Sequence, residues 1–174
     1  APGPISIPGI TRAPQSAEEA LEAYYRALPD DYYPEAPPGL PLPPSDQAIS
    51  RILVGSCLDE EQGDNETLRS VAATPADMFL MIGDNVYGDT DGLSYRTGDA
   101  DLTELRESFA DLAARPDFQA VRKAHPMMVA WDDHDYGLND GGKHFAFRRL
   151  SERIHERFWG LANKDVGAWP GTYY

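Results

Sequence analysis

The rhythm of apolar and polar positions changes near residue 50. Before it, residues 1–15 are rich in Pro, Gly and Ile and suit an extended backbone. Ser16 and Glu19 then have the spacing of a capping box, in which each side chain serves the other's backbone N–H, and a helix is predicted over residues 17–28. Residues 29–44 are proline-rich, with Tyr32, Tyr33 and short apolar residues, which fits a wrap over a neighbouring surface better than a helix or strand. Residues 1–49 are therefore read as a proline-rich arm with one helix, and residues 50–174 as the body of a domain.

In that body, short apolar runs alternate with helical periodicity. Arg51-Ile52-Leu53-Val54-Gly55-Ser56, Asp77-Met78-Phe79-Leu80-Met81-Ile82 and Pro126-Met127-Met128-Val129-Ala130-Trp131 read as buried strands. Between them, residues 65–73 form a plausible helix. Leu102, Leu105, Phe109 and Leu112 have helical spacing up to Pro116, and Asp117 is placed to cap a further helix through Lys123. Phe147, Leu150, Ile154 and Phe158 give a last helix one apolar face, closed by Gly160. Strand, helix, strand, helix, strand, helix predicts an α/β fold of βαβ units with a mainly parallel sheet flanked by helices.

The chain has 174 residues, an ordinary size for one domain. Its net charge of −14 argues against a nucleic-acid scaffold and against anionic membranes, and no apolar run is long enough to span a bilayer. A protein this acidic that handles an anionic substrate needs a local source of positive charge, and bound metal ions supply one. Cys57 is the single cysteine, so no intrachain disulfide exists. The start Ala1-Pro2-Gly3 is compatible with the end left by a signal peptidase, which leans towards export, and equally with an arbitrary boundary.

Each predicted strand is followed at once by possible metal ligands: Ser56-Cys57-Leu58-Asp59, then Gly83-Asp84-Asn85-Val86-Tyr87, then Asp132-Asp133-His134-Asp135. In open α/β sheets, sites form beyond the C-terminal strand ends, so the three clusters are expected to meet. Carboxylates gathered there would repel one another unless cations separated them. A thiolate and a phenolate suit a Lewis-acidic ion such as ferric iron, whereas carboxylates and amides suit a hard cation such as Ca²⁺ or Mg²⁺. Asp84, directly after a strand and a glycine, is placed to bridge two metals.

Gly83-Asp84-Asn85-Val86-Tyr87 resembles the GDxxY motif of calcineurin-like metallophosphoesterases, and Asp133-His134-Asp135 a variant of their GN-H-D/E motif. With Cys57 after a strand and the run Trp131-Asp132-Asp133-His134-Asp135-Tyr136-Gly137-Leu138-Asn139-Asp140, residues 50–174 are most similar to the D-type alkaline phosphatases, the PhoD-like group. The resemblance implies half of a metallophosphoesterase β-sandwich. It implies hydrolysis of phosphomonoesters or phosphodiesters by a metal-bound hydroxide, with Fe³⁺ and Ca²⁺, or Zn²⁺, Mg²⁺ or Mn²⁺ at the second position. Cys57, Asp84 and Tyr87 would hold iron, Asp133 the second metal, and His134 would stabilise the transferring phosphate or protonate the leaving group. Asp59, two positions after Cys57, is a further ligand candidate. Asn139 is a second-layer or substrate-side candidate, and Asp132 and Asp135 are expected to orient His134 or its neighbours. The family's remaining ligands would lie on a C-terminal companion chain, and its habits imply a periplasmic or secreted location.

Other readings were weighed. A non-catalytic, calcium-dependent binding or structural module, or an inactive fragment, is the alternative; the thiol and phenol argue against a calcium module, because calcium prefers hard oxygen donors. His144 and the cations Lys143, Arg148 and Arg149 are weaker phosphate-side candidates, and His125 and His155 fit packing roles. Aligning Gly92 with the glycine of an EF-hand loop puts Tyr87 and Gly98 where carboxylates are needed, so that reading fails. There is no GxxxxGK[ST] or GxGxxG run to support nucleotide chemistry.

Overall fold

A computed structural model of the chain describes residues 16–90 and 99–161. The extended reading of residues 1–15 and the positions Gly92 and Gly98 of the rejected EF-hand alignment lie outside the described residues. By its contacts the chain divides into two units, Ala1–Tyr32 and Tyr33–Tyr174.

In the first unit, helix α1 spans Ala17–Arg26, and the Ser16 hydroxyl accepts the Glu19 N–H at 3.1 Å. The helix stops short of the predicted residue 28. The N–H groups of Ala27 and Leu28 turn back to Tyr24 O and Tyr25 O, three residues away, tightening the last turn before Pro29. A single 3₁₀ turn, Asp30–Tyr32, follows.

The second unit carries β1 (Ile52–Gly55), α2 (Glu66–Ala73), β2 (Met78–Ile82), α3 (Thr103–Ala114), α4 (Pro116–Ala124), β3 (Met127–Ala130), α5 (Asp133–Tyr136) and α6 (Arg148–Trp159). The sheet has the order β1-β2-β3 and both pairings are parallel, as the alternation predicts. Helix α2 packs on α4, α3 on α4 and α6, and α5 on α6. Leu105, Phe109 and Leu112 of α3 and Leu150, Ile154 and Phe158 of α6 are all buried, so the periodic positions face inward.

The strands differ from expectation in their burial. Register aligns Leu53, Phe79 and Met127 in one row and Gly55, Met81 and Val129 in the next. Phe79 and Met81 of these rows are only 2% and 1% exposed. The opposite face carries Val54, Leu80 and Met128 in one row and Ile82 beside Ala130. There Ile52, Val54, Ile82 and Met128 are 48–59% exposed. An all-parallel sheet is normally covered on both faces; among the described residues of this unit, only Met78 of this second face is buried, and most of its apolar side chains are left exposed.

Two boundaries move. Pro116 both ends α3 and opens α4, because its fixed φ suits the first helical position and its missing N–H is no loss there. Asp117 is therefore inside α4 rather than its cap, and its carboxylate instead accepts Arg115 at 3.0 and 2.7 Å, Phe118 N–H and Asn65 N–H. The proline-rich stretch beyond Tyr32 belongs to the sheet-bearing unit, whereas composition places the boundary at residue 49. Ala36 N–H donates to Phe158 O, Arg122 donates to Pro37 O, and Leu40 bridges Pro126 at the approach to β3.

Candidate metal centre

The three clusters lie at the C-terminal ends of the three strands, and the backbone there leaves ordinary conformations. Cys57 (φ 56°) and Asp84 (φ 47°) both adopt the left-handed region, which costs a non-glycine residue of order 1 kcal/mol or more. Gly83, at φ 116°, has to be glycine: a Cβ there would lie 2.8 Å from the Cβ of Asp132. Cys57 N–H to Gly83 O (3.3 Å) and Leu58 N–H to Asp84 O (2.8 Å) carry the pairing of β1 and β2 past the strand ends. The result sets Cys57 Sγ 3.4 Å from Asp84 Oδ2. The other oxygen, Asp84 Oδ1, is buried without a hydrogen-bond partner.

The third cluster is tied to the second by Asp135, which is fully buried. Its Oδ1 accepts Asn85 N–H (2.9 Å) and Val86 N–H (3.1 Å), and its Oδ2 accepts Asn85 Nδ2 (3.0 Å) and Asp132 N–H (3.0 Å). Burial pushes its pKa up to about 7, against the pull of these donors. Asn85 also donates to Ala130 O at 2.8 Å. Asp132 accepts Asp133 N–H and opens the short helix α5 with Asp135. Asp132 and Asp135 thus organise the turn that carries His134.

These ties bring Asp84, Asp133 and His134 together, with one ligand atom of each within 4.8 Å of the others. Asp133 Oδ2 accepts Asp140 N–H at 2.6 Å, and Asn139 is exposed and donates to Asp140. The Tyr87 ring stacks on His134, centroids 4.3 Å apart. Burial raises the Tyr87 pKa, and the charges of Asp84, Cys57 and Asp59 raise it further. Surrounding negative charge disfavours a phenolate, so only a cation among these groups would release the phenol's proton. Asp59 accepts Glu61 N–H and Gln62 Nε2 within its own turn.

One partner of His134 was invisible to sequence reasoning. Asp89 Oδ1 lies 2.6 Å from His134 Nδ1, and the Asp89 side chain is 3% exposed. Burial works against a charged imidazole, but the Asp89 hydrogen bond and the charges of Asp89, Asp133 and Asp84 outweigh it and hold the His134 pKa above 6.5. Nothing in the spacing of residues 89 and 134 announces this pair. Glu60 and Arg115 were also missed. Glu60 Oε2 accepts Tyr87 N–H at 2.9 Å, and Arg115 donates to Glu60 O, Gln62 O and Gly63 O.

Two of the other histidines pack. His125 is buried with Nε2 2.8 Å from Val71 O. His155 sits among Trp131, Phe109 and Trp159, and complete burial pushes its pKa down to about 3. His144 and Lys143 are exposed.

The donors fit metal ions. One Asp84 oxygen buried without a partner, the Cys57 thiol against the other, the Tyr87 phenol within reach of their charges, and a second carboxylate and an imidazole with ligand atoms within 4.8 Å leave charge that protein groups do not satisfy. No curated protein and no solved structure matched the chain. Residues 52–141, more than half of the chain and the stretch holding every residue named at this centre, match the PhoD-like phosphatase family, and the chain belongs to that family.

Proposed function

We propose that this chain carries a metal-dependent site for hydrolysing phosphate monoesters or diesters. The observation that carries the reading is Asp84: strained backbone, one buried oxygen without a partner, the other against Cys57, and Asp133 and His134 beside it. Cys57, Asp84 and Tyr87 would hold ferric iron, and Asp84 and Asp133 a second cation such as calcium. Bound there, the metals would supply positive charge against a phosphate and acidify a water nucleophile.

The chain's own residues do the rest. His134, hydrogen-bonded through Nδ1 to Asp89, which shifts its pKa upward, would offer its other nitrogen to the substrate, to offset charge on the phosphate or give a proton to the departing oxygen. Asp135 fixes the distance between the Asp84 loop and the His134 turn. A companion polypeptide covering the open sheet face belongs to this reading. Ile82 and Ala130 of that face run directly into the Asp84 and Asp133 loops, so whatever covers it lies beside the site and is placed to add ligands.

The test is release of p-nitrophenol from p-nitrophenyl phosphate and its bis-ester at alkaline pH, by chain loaded with iron and calcium. Turnover that a chelator removes, and that Asp84→Asn lowers by at least ~100-fold, is expected. Loaded chain without metal-dependent turnover would sink the reading.

A further inference from the structure

We propose that Glu60 is a positioning residue for the metal centre: its buried carboxylate locks the turn that carries Cys57 to the loop that carries Tyr87, and so sets how thiol and phenol face one ion. The proposal rests on the iron site described above.

The two donors come from separate strand ends. The backbone bonds that join those ends, Cys57 N–H to Gly83 O and Leu58 N–H to Asp84 O, reach only to Asp84. Glu60 carries the tie three residues further. Its Oε2 accepts the Tyr87 N–H at 2.9 Å, and the residue is 4% exposed. The Ser108 hydroxyl of α3 donates to Tyr87 O at 3.4 Å, so the Tyr87 backbone is gripped on both sides.

Glu60 is itself held from behind. Arg115, at the α3–α4 junction, donates to Glu60 O at 2.8 Å, to Gln62 O and to Gly63 O at 2.6 Å, and is fixed by Asp117. The turn after β1 is thus anchored to the helices, and Glu60 transmits that anchoring to Tyr87. Burying a carboxylate is a costly way to satisfy the Tyr87 N–H alone. It is a reasonable way to hold a loop whose phenol must meet a thiol 30 positions earlier in sequence.

The test uses the full chain titrated with ferric iron alone, reading the visible tyrosinate-to-iron band and the affinity. Wild type should develop the band, and Tyr87→Phe should lack it. Glu60→Gln, whose amide oxygen can still accept the Tyr87 N–H, should keep the band. Glu60→Ala should bind iron ~10–100-fold more weakly and show a shifted, weaker band even at saturation. If Glu60→Ala does not fold by circular dichroism, Glu60→Asp, too short to reach the Tyr87 N–H, takes its place with the same expectation. A merely structural role would lower melting temperature and leave the saturated band at its wild-type position, and that result overturns the proposal. Wild type that binds iron without any band overturns the iron site, and this proposal with it.

Discussion

The covered side of the sheet and the crest at its C-terminal ends obey opposite rules. On that side Phe79, Met81, Leu105, Phe109 and Phe158 are all buried, and Phe109 and Phe158 meet with ring centroids 4.6 Å apart. On the crest, Cys57, Asp84 and Asp140 are left-handed, a thiol is exposed, and buried oxygens of Asp84, Asn85 and Asp89 have no protein partner. A domain of this size has only about 5–15 kcal/mol of net stability, so such strain persists only where the rest of the fold holds it and where it serves something. The core holds the crest, and the proposed metal ions would meet the oxygens that the crest leaves without partners.

That contrast can be broken at several points. Phe109→Ala should have the largest effect on folding, ~3–5 kcal/mol by urea denaturation, while the folded fraction keeps its metal stoichiometry. A variant that loses metal without losing stability would put Phe109 in the wrong region. His134→Gln should do the reverse: turnover down ~10²–10⁴-fold, with a urea midpoint close to wild type. Comparable losses in both would mean that His134 is part of the packing.

Acid provides a smaller effect. The pKa of neutral, buried His155 is lowered from 6.5 to about 3, so the unfolded chain binds an extra proton in between. Its contribution is complete above pH 6.5 and is lost as pH falls towards 3, by up to ~1.4 kcal/mol per pH unit. His155→Phe, among the same aromatic neighbours, should flatten that slope in denaturation series at several pH values; an unchanged slope would show that the imidazole is already charged in the fold.

The smallest effect belongs to the open sheet face. Val54→Thr should change the stability of this chain by less than ~0.5 kcal/mol, because Val54 is 59% exposed. A loss as large as that of a buried valine would mean that the face is covered in solution.

Much of this was legible in the sequence, and the reason is local. An apolar run stopped by a small residue and followed by acids shows itself within six positions, so β1, β2 and β3 could be placed, with Cys57, Asp84, Tyr87, Asp133 and His134 as candidates in the turns after them. What escaped is non-local or two-sided. Asp89 meets His134 across 45 positions, and Glu60 meets Tyr87 across 27, with no periodicity to mark either. Asp135 was visible as an acid beside His134, but not as the tie to Asn85 and Val86. The openness of one sheet face was hidden too, because Ile52, Val54, Ile82 and Met128 spell the same apolar strands whether one face is covered or both. Asp117 has a capping residue's chemistry, but proline's preference for the first helical position starts the helix at Pro116, ahead of it.

The central claim, that the crest is a metal centre, is tested most directly by elemental analysis of the purified chain for iron, calcium, zinc and magnesium, before and after incubation with iron and calcium and removal of the excess. The account predicts stoichiometric iron and calcium in the wild type and loss of both in Asp84→Asn. Folded wild-type chain that retains neither metal after incubation would contradict it.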